Sequence, residues 1–497
     1  MTDEHEKRDQ VQQRKEKLKL LRSDGFNYPN HCAPSTFNQD IHDQYESMEK
    51  SELEDIAVEV EIAGRMMTRR AMGKASFFNI QDMTGQIQVY VRSQDVTQAQ
   101  YDAFSNMDLG DILHVKGKVF KTQKGELSVY AKKVTLMSKA LHPLPDKFHG
   151  LSDIETCYRH RYIDIMVNQA SRNRFLLRAK AIEVLRSSLQ AERYVEVETP
   201  MMHPLASGAN AKPFTTHHNA LDMSLYLRVA PELYLKRLVV GGMDRVFEIN
   251  RNFRNEGVST KHNPEFTMVE YYQAYADYKV MIDLTERILR QIVRAIHPDG
   301  ILTYQGLEID FNKPIKRLTM VEAIVSYTKG IETAQLTSLD RIKELCDKHD
   351  IDYAKDTSIG VMQLALFETL VEENITDPCF VTHYPTVVSP LARASDENPE
   401  VTDRFELFVA GKEIANGFSE LNDPEDQAKR FAMQTDQKNM GDEEAMDYDH
   451  DYIYALEYAM PPAGGVGLGI DRLVMLLTDA PSIRDVILFP LMRNKQD

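Results

Sequence analysis

Residues 246–272 read VFEINRNFRNEGVSTKHNPEFTMVEYY. Apolar positions on both sides (Val246, Phe247 and Ile249, then Phe266, Met268 and Val269) frame a polar loop holding Gly257, Ser259 and Lys261. This pattern predicts two antiparallel strands joined as a long hairpin. Arg254, Glu256, His262, Asn263 and Glu265 fall where the strands meet the loop. So many long polar groups beside an aromatic residue, Phe266, would be costly in a core unless a ligand or their neighbours satisfied them. The hairpin is thus a candidate site as well as a structural element.

Two further stretches flank it. Downstream, Gly465-Val466-Gly467-Leu468-Gly469-Ile470-Asp471-Arg472 runs into an apolar segment, Leu473–Leu477. It predicts a glycine-rich strand entering a helix with an arginine near its start. Glycine permits close backbone approach to a flat ligand, and a helix N-terminus with arginine suits phosphates. The third glycine of a dinucleotide fingerprint would fall at Ile470, and no Gly-Lys-Ser/Thr follows, so neither common phosphate loop is present. Upstream, Tyr194–Thr199 predicts a strand that ends at Pro200 after a long helix, residues 173–191.

Elsewhere, residues 8–22 predict a charged amphipathic helix ending near Asp24-Gly25, and residues 7–22 carry seven lysines and arginines against two acids. From 57 to 141 the signal is strands. Ile87, Val89 and Val91 alternate with Gln88, Tyr90 and Arg92, and Lys124-Gly125 suits a hairpin turn. Several short strands in so few residues suit a small closed barrel of the OB type. Helical patterns at 338–349 and 360–373, with a capping box at Thr319–Glu322, lie between strand-rich pieces at 194–198, 246–253, 265–272 and 405–418. The expected organisation is a helical extension over 1–56, a barrel over 57–141, a linker over 142–152 containing Pro143, Pro145 and Gly150, and an α+β domain over 153–497 with a helical insertion at about 300–380.

At 497 residues and 42% apolar content the chain can bury more than one core. Its net charge of −17 argues against a protein that coats nucleic acid without selectivity, and its four scattered cysteines suggest neither disulfides nor zinc. No stretch approaches the ~20 apolar residues that span a bilayer. The N-terminal MTDEHEKRDQ has no apolar core for a signal peptide, so a cytoplasmic location is expected.

In this order the three pieces around Pro200, Arg254 and Arg472 resemble motifs 1, 2 and 3 of the class II aminoacyl-tRNA synthetases. The resemblance covers nearly the whole chain. It implies an OB-fold anticodon-binding barrel followed by a catalytic domain built on an antiparallel sheet flanked by helices. It also implies a homodimer with Pro200 at the subunit interface. Arg254 would bind the α-phosphate and the substrate carboxylate, and Arg472 the γ-phosphate. Glu256, His262, Asn263 and Gly469 would help to hold ATP, with Phe266 stacked on the adenine. The class I signatures are missing; Leu136-Met137-Ser138-Lys139-Ala140 is a partial echo of one, read here as chance.

Within the family, Ala230–Lys236, Thr382–Pro385 and Asn416–Asp423 are similar to the lysine-specific branch of bacterial type. A lysine pocket needs an acceptor for each ammonium, since an unpaired buried charge is prohibitive. The similarity implies Glu420 and Tyr272 at the ε-amine of L-lysine, Glu270 and Asn416 nearby, and Glu232 with Gly208 at the α-amine. It implies Mg²⁺ on Glu406 and Glu413, completed by phosphates of ATP. In the barrel, alternation turns Phe77 outward with Gln88, an aromatic platform of the kind on which single-stranded bases stack; with Arg69, these match the positions expected to bind the anticodon of tRNA(Lys). The reading competes with an aspartate- or asparagine-type enzyme, with a relative that lysylates a protein, and with a non-catalytic nucleic-acid binder on a decayed core.

Overall fold

The computed structural model describes residues 2–145, 151, 153–354, 357–441 and 444–494, which fall into two compact units, 1–150 and 151–497. Most of the expected linker lies outside the described residues.

In the first unit the opening helix runs Thr2–Ser23 and is followed by Gly25 with φ of +91°. Five strands close into a barrel: β1 (Glu59–Met72), β2 (Ala75–Gln81), β3 (Gln86–Arg92), β4 (Ile112–Lys121) and β5 (Leu127–Ser138). The turn between β4 and β5 carries Gly125 at φ +84°, which a residue with a Cβ rarely adopts. Strict alternation sends Phe78, Ile80, Ile87, Val89 and Val129 inward, each essentially buried. Their neighbours are left to form the outer face.

The second unit is built on an eight-stranded sheet. Its strands in chain order are β6 (Val195–Glu196), then, after the small sheet β7 (Met202–His203), β8 (Thr215–His218) and β9 (Met223–Leu227), β10 (Arg245–Phe253) and β11 (Glu265–Ala274). The hairpin β12 (Ile301–Tyr304) and β13 (Leu307–Asp310) precedes β14 (Lys316–Thr319), β15 (Cys379–Thr382), β16 (Arg404–Val409), β17 (Lys412–Ser419) and β18 (Ala463–Gly469). Across the sheet the order is β14-β15-β16-β17-β18-β11-β10-β6, antiparallel except for the outermost pair at each edge. The strand-rich stretch 405–418 resolves into two strands, β16 and β17, turned by Ala410 and Gly411 at positive φ.

One face of the sheet is apolar. Phe247, Val269, Tyr271, Leu407, Ala415, Val466 and Leu468 meet helices Gln169–Ala191, Tyr278–Ile296 and Ile470–Leu477 in one core. Helices Met320–Tyr327, Leu339–Lys348 and Ile359–Leu370 form a separate core against β15 and Phe408. The capping box at Thr319 is present, with Glu322 accepting from the Thr319 amide at 2.8 Å. The opposite face of the central strands is polar, and it floors a cavity. Among the described residues no helix is long and apolar enough to cross a membrane.

Candidate active site

The cavity has a volume of about 430 Å³. Its floor follows from strand parity. On β11 the even positions Phe266, Met268, Glu270 and Tyr272 face it, while Val269 and Tyr271 enter the core. On β18 the same holds for Gly465, Gly467 and Gly469 against Val466 and Leu468. On β16 and β17 the register shifts between Leu407 and Phe408, leaving Ile414 without an opposite number. That bulge turns Glu413 as well as Asn416 and Glu420 to the cavity, although simple alternation would separate Glu413 from the other two.

At one end the charge is positive. Arg254 leaves β10, is pinned through its amide to the Pro264 carbonyl at 2.9 Å, and sets its guanidinium 5.2 Å from the Phe266 ring centroid. Its buried Nε has no hydrogen-bond partner, nor has the buried Oδ1 of Asn263. Orphaned buried polar atoms at a cavity wall are what a bound anion or amide would satisfy. Arg472 stands at the third position of its helix, donates to the carbonyl and carboxylate of Glu413 at 2.9 and 3.1 Å, and lies 3.5 Å from His262 Nε2. Burial, and then the charge of Arg472, pull the His262 pKa down, so its ring is neutral at pH 7. Behind Arg472, Asp471 accepts from the Thr267 amide at 2.7 Å and from Arg178 at 2.6 Å, which fixes where the helix begins.

Between the two ends lie Glu406 and Glu413. Glu406 is largely buried, accepts from Tyr384 Oη at 2.9 Å and pairs with Arg404. Burial raises its pKa to about 7, and the charge of Glu413 adds to the rise. Two carboxylates that repel one another at the rim of an arginine-lined cavity fit a divalent cation shared with phosphate oxygens. No cluster of three or more His, Cys, Asp and Glu able to hold a metal occurs among the described residues.

The far end is acidic. Glu232, Glu270 and Glu420 line it with Tyr272, whose hydroxyl donates to Glu270 at 3.0 Å. Burial, and then the neighbouring Glu232, push Glu270 up to about 8. Glu420 is also raised to about 8, chiefly by burial, although the Lys236 ammonium opposes the shift. Lys236 is wholly buried behind this wall, 2.6 Å from Glu232 and 2.5 Å from Glu420. Gly208 lies against the Ala230 carbonyl at the cavity edge.

The structure therefore brings Gly208, Glu232, Arg254, Glu256, His262, Asn263, Phe266, Glu270, Tyr272, Glu406, Glu413, Asn416, Glu420, Gly469 and Arg472 around one cavity. Pro200 is exposed and outside it. Sequence reasoning missed Arg404 and Lys236. Arg404 stands two residues before Glu406, so strand parity could have found it. Lys236 reads in sequence as an ordinary i,i+4 partner of Glu232 on a helix surface.

In the barrel unit, Phe77 and Gln88 share a groove with Tyr90, Lys118 and Phe120. Phe77 stacks on Tyr90 at 4.5 Å between centroids, and Tyr90 meets Tyr130 at 5.3 Å. Arg69 is not among them. Its guanidinium lies over Phe104 at 4.8 Å and donates to the carbonyls of Ser105 and Met107, whereas its neighbour Arg70, opposite Phe77 in the β1–β2 register, lines the groove. The register decides this, because adjacent residues on a strand face opposite ways. Lys139, in the echo of a class I signature, is buried between Asp108 and Asp111 at 2.7 and 2.9 Å, a structural ion pair.

Two family descriptions match the chain: tRNA synthetases class II (D, K and N) over residues 153–493, and OB-fold nucleic acid binding domain over residues 60–137. The chain belongs to the class II tRNA synthetase family, with an OB-fold domain ahead of the synthetase domain. Among its relatives it is 55% identical to the lysine--tRNA ligase of Paraburkholderia xenovorans (strain LB400), over 98% of this chain and 95% of that protein. It is 54% identical to the lysine--tRNA ligase of Legionella pneumophila (strain Lens), over 99% of this chain and all of that protein. The lysine--tRNA ligase of Idiomarina loihiensis is 54% identical, over 98% and 97% of the two chains.

Proposed function

We propose that the chain activates L-lysine with ATP to give lysyl-adenylate and transfers the lysyl group to the 3′ end of tRNA(Lys) for protein synthesis. The observation that carries the choice of lysine is the acidic wall of Glu232, Glu270 and Glu420 at the end of the cavity away from Arg254. An aspartate or asparagine pocket would need a basic or amide group there. The near-full-length similarity to lysine--tRNA ligases supports the same choice.

In the first step an oxygen of the lysine carboxylate bonds to the α-phosphorus as the bond from that phosphorus to pyrophosphate breaks. The nucleophile is already an anion, so no general base is needed. Arg254 neutralises charge where carboxylate and α-phosphate meet, Arg472 holds the γ-phosphate, and Phe266 stacks on the adenine. Positioning and electrostatics of this kind supply most of the rate in phosphoryl and nucleotidyl transfer. Glu406 and Glu413 would hold Mg²⁺ with the phosphates, and the ion, when bound, offsets charge on the departing pyrophosphate. In the second step the terminal 3′-hydroxyl of the tRNA attacks the acyl carbon and AMP leaves.

The groove around Phe77, Gln88 and Tyr90 takes the anticodon, and the cationic partner on that face is Arg70 in place of Arg69. The protein works as a homodimer in the cytoplasm, with Pro200 at the interface. Val195, Met201 and Met202, exposed by 51%, 48% and 53% beside Pro200, supply apolar area for that contact. The decisive experiment is lysine-dependent ATP–pyrophosphate exchange, run against the other amino acids. Absence of exchange with lysine in folded protein overturns the assignment.

A further inference from the structure

The acidic end of the cavity contains a cation of its own. Lys236, on helix Glu232–Val240, has no exposed surface, and its ammonium lies 2.6 Å from Glu232 and 2.5 Å from Glu420. The Phe418 ring centroid is 5.2 Å from the same nitrogen. An unpaired ammonium at such depth would lose its proton, but two contacting carboxylates hold it charged. Glu420 turns Oε2 to this ammonium, whereas its Oε1 accepts no hydrogen bond among the described residues and lies beside the cavity-facing Gly465, so Oε1 remains available to a ligand.

The other charged groups around the cluster are already matched. Glu248 on β10 pairs with the buried Arg228 at 2.7 Å, and Arg237 pairs with Asp449 at 2.9 Å and Asp451 at 3.1 Å. Tyr272 on β11 and Tyr452 on helix His450–Leu456 are both held neutral, mainly by burial. What is left is Glu232, Glu270 and Glu420 against one ammonium, an excess of two negative charges once all three carboxylates are ionised. Lysine brings two ammonium groups.

We propose that Lys236 is a resident counter-cation that sets this end of the cavity to the charge of a two-ammonium substrate and pins Glu232 and Glu420 so that their free oxygens face it. This deepens the lysine reading and rests on it. Lys236 is a positioning and specificity-determining residue, since it stands behind the carboxylates and lines no part of the cavity. Without it the three carboxylates keep a proton in its place, at a position no longer fixed, and that proton competes with the substrate. Glu270 and Glu420 titrate near 8, so in the unaltered protein lysine already displaces protons below that pH. Removing the resident charge moves the competition to higher pH.

The test is Lys236→Met, with Lys236→Gln beside it as a polar alternative, in pyrophosphate exchange from pH 6 to 9. The expected result is an acid limb of kcat/KM for lysine displaced upward by about one pH unit or more, a loss of about tenfold or more at pH 7, with KM for ATP within about twofold. An unmoved limb overturns the proposal, as does a parallel rise in both KM values, which would mark a merely structural residue. If neither variant folds, neutron diffraction of the unaltered protein with lysine bound decides: three deuterons on Lys236 between ionised Glu232 and Glu420 are expected, and a neutral amine overturns it. Should the unaltered protein activate some other amino acid, the lysine reading itself fails, a result separable from either outcome for Lys236.

Discussion

Gly465 is where a single methyl group should do the most damage. It pairs with Tyr272 across β18 and β11 and faces the cavity. A Cβ built on it would stand 2.0 Å from Glu420 Oε1 and 2.5 Å from Tyr272 Cε1, well inside contact distance. Its backbone is ordinary strand, with no positive φ, so alanine costs nothing there and the whole effect is collision. Relief requires both Glu420 to swing and the Tyr272 ring to shift, which disturbs the contact with Lys236 and the bond with Glu270. Overpacking of this kind costs about 1–3 kcal/mol of stability. Loss of one buried charge partner costs the bound substrate about 2–5 kcal/mol, or roughly 30- to 5,000-fold in affinity. Gly467, two residues along on the same face, is the internal control. A Cβ there comes close only to the mobile end of Met268, at 3.0 Å, with Glu270 Cγ and the Asn416 carbonyl at ordinary contact distances of 3.7 and 4.0 Å, so Gly467→Ala should be mild. The assay is KM and kcat for lysine and, separately, for ATP in pyrophosphate exchange, with thermal unfolding of both variants. If Gly465→Ala binds lysine within about threefold of the unaltered protein while remaining folded, Glu420 and Tyr272 do not form the amine end. That result would refute the reasoning. Equal loss for lysine and ATP would instead indicate a distorted strand.

Three further outcomes follow from the same geometry. Phe77→Ala should leave lysyl-adenylate formation intact and weaken tRNA charging by the ~1–3 kcal/mol of one stacked base, roughly 5- to 150-fold in KM for tRNA; equal loss in both reactions would remove the barrel groove from recognition. Arg70→Ala should weaken tRNA charging more than Arg69→Ala does at equal stability, because only Arg70 lines the groove; the reverse order in charging assays would restore the expectation from sequence. Lys139→Met leaves the fully buried Asp111 without its cation, although Asp108 keeps Lys17, and should cost about 3–5 kcal/mol in denaturant unfolding of the full chain, while pyrophosphate exchange persists in the fraction that stays folded.

How far the sequence could be read depended on whether a residue's direction was set locally. On β11 and β18 it was: alternation alone places Phe266, Glu270 and Tyr272 on one face and spaces Gly465, Gly467 and Gly469 along another. The barrel obeyed the same rule, which is why Phe77 and Gln88 could be paired and why Arg70, not Arg69, could have been placed on the groove face, had the β1–β2 register been known. Register is a long-range property, and nothing within β1 encodes it. The bulge opposite Leu407 is harder still, since it reverses parity within β17 and brings Glu413 to the face of Asn416. Lys236 marks the limit. A glutamate and a lysine four apart on a helix are an everyday surface pair, and only the packing of this helix against β11, with Tyr452 behind it, removes them from water. Burial turns a pair worth a few tenths of a kcal/mol into a fixed charge beside a second carboxylate, Glu420, that lies 184 positions along the chain from Lys236. The family resemblance supplied Glu232 and Glu420 as substrate partners, but it said nothing of the cation that stands between them. That cation is visible only once both carboxylates are seen to touch it.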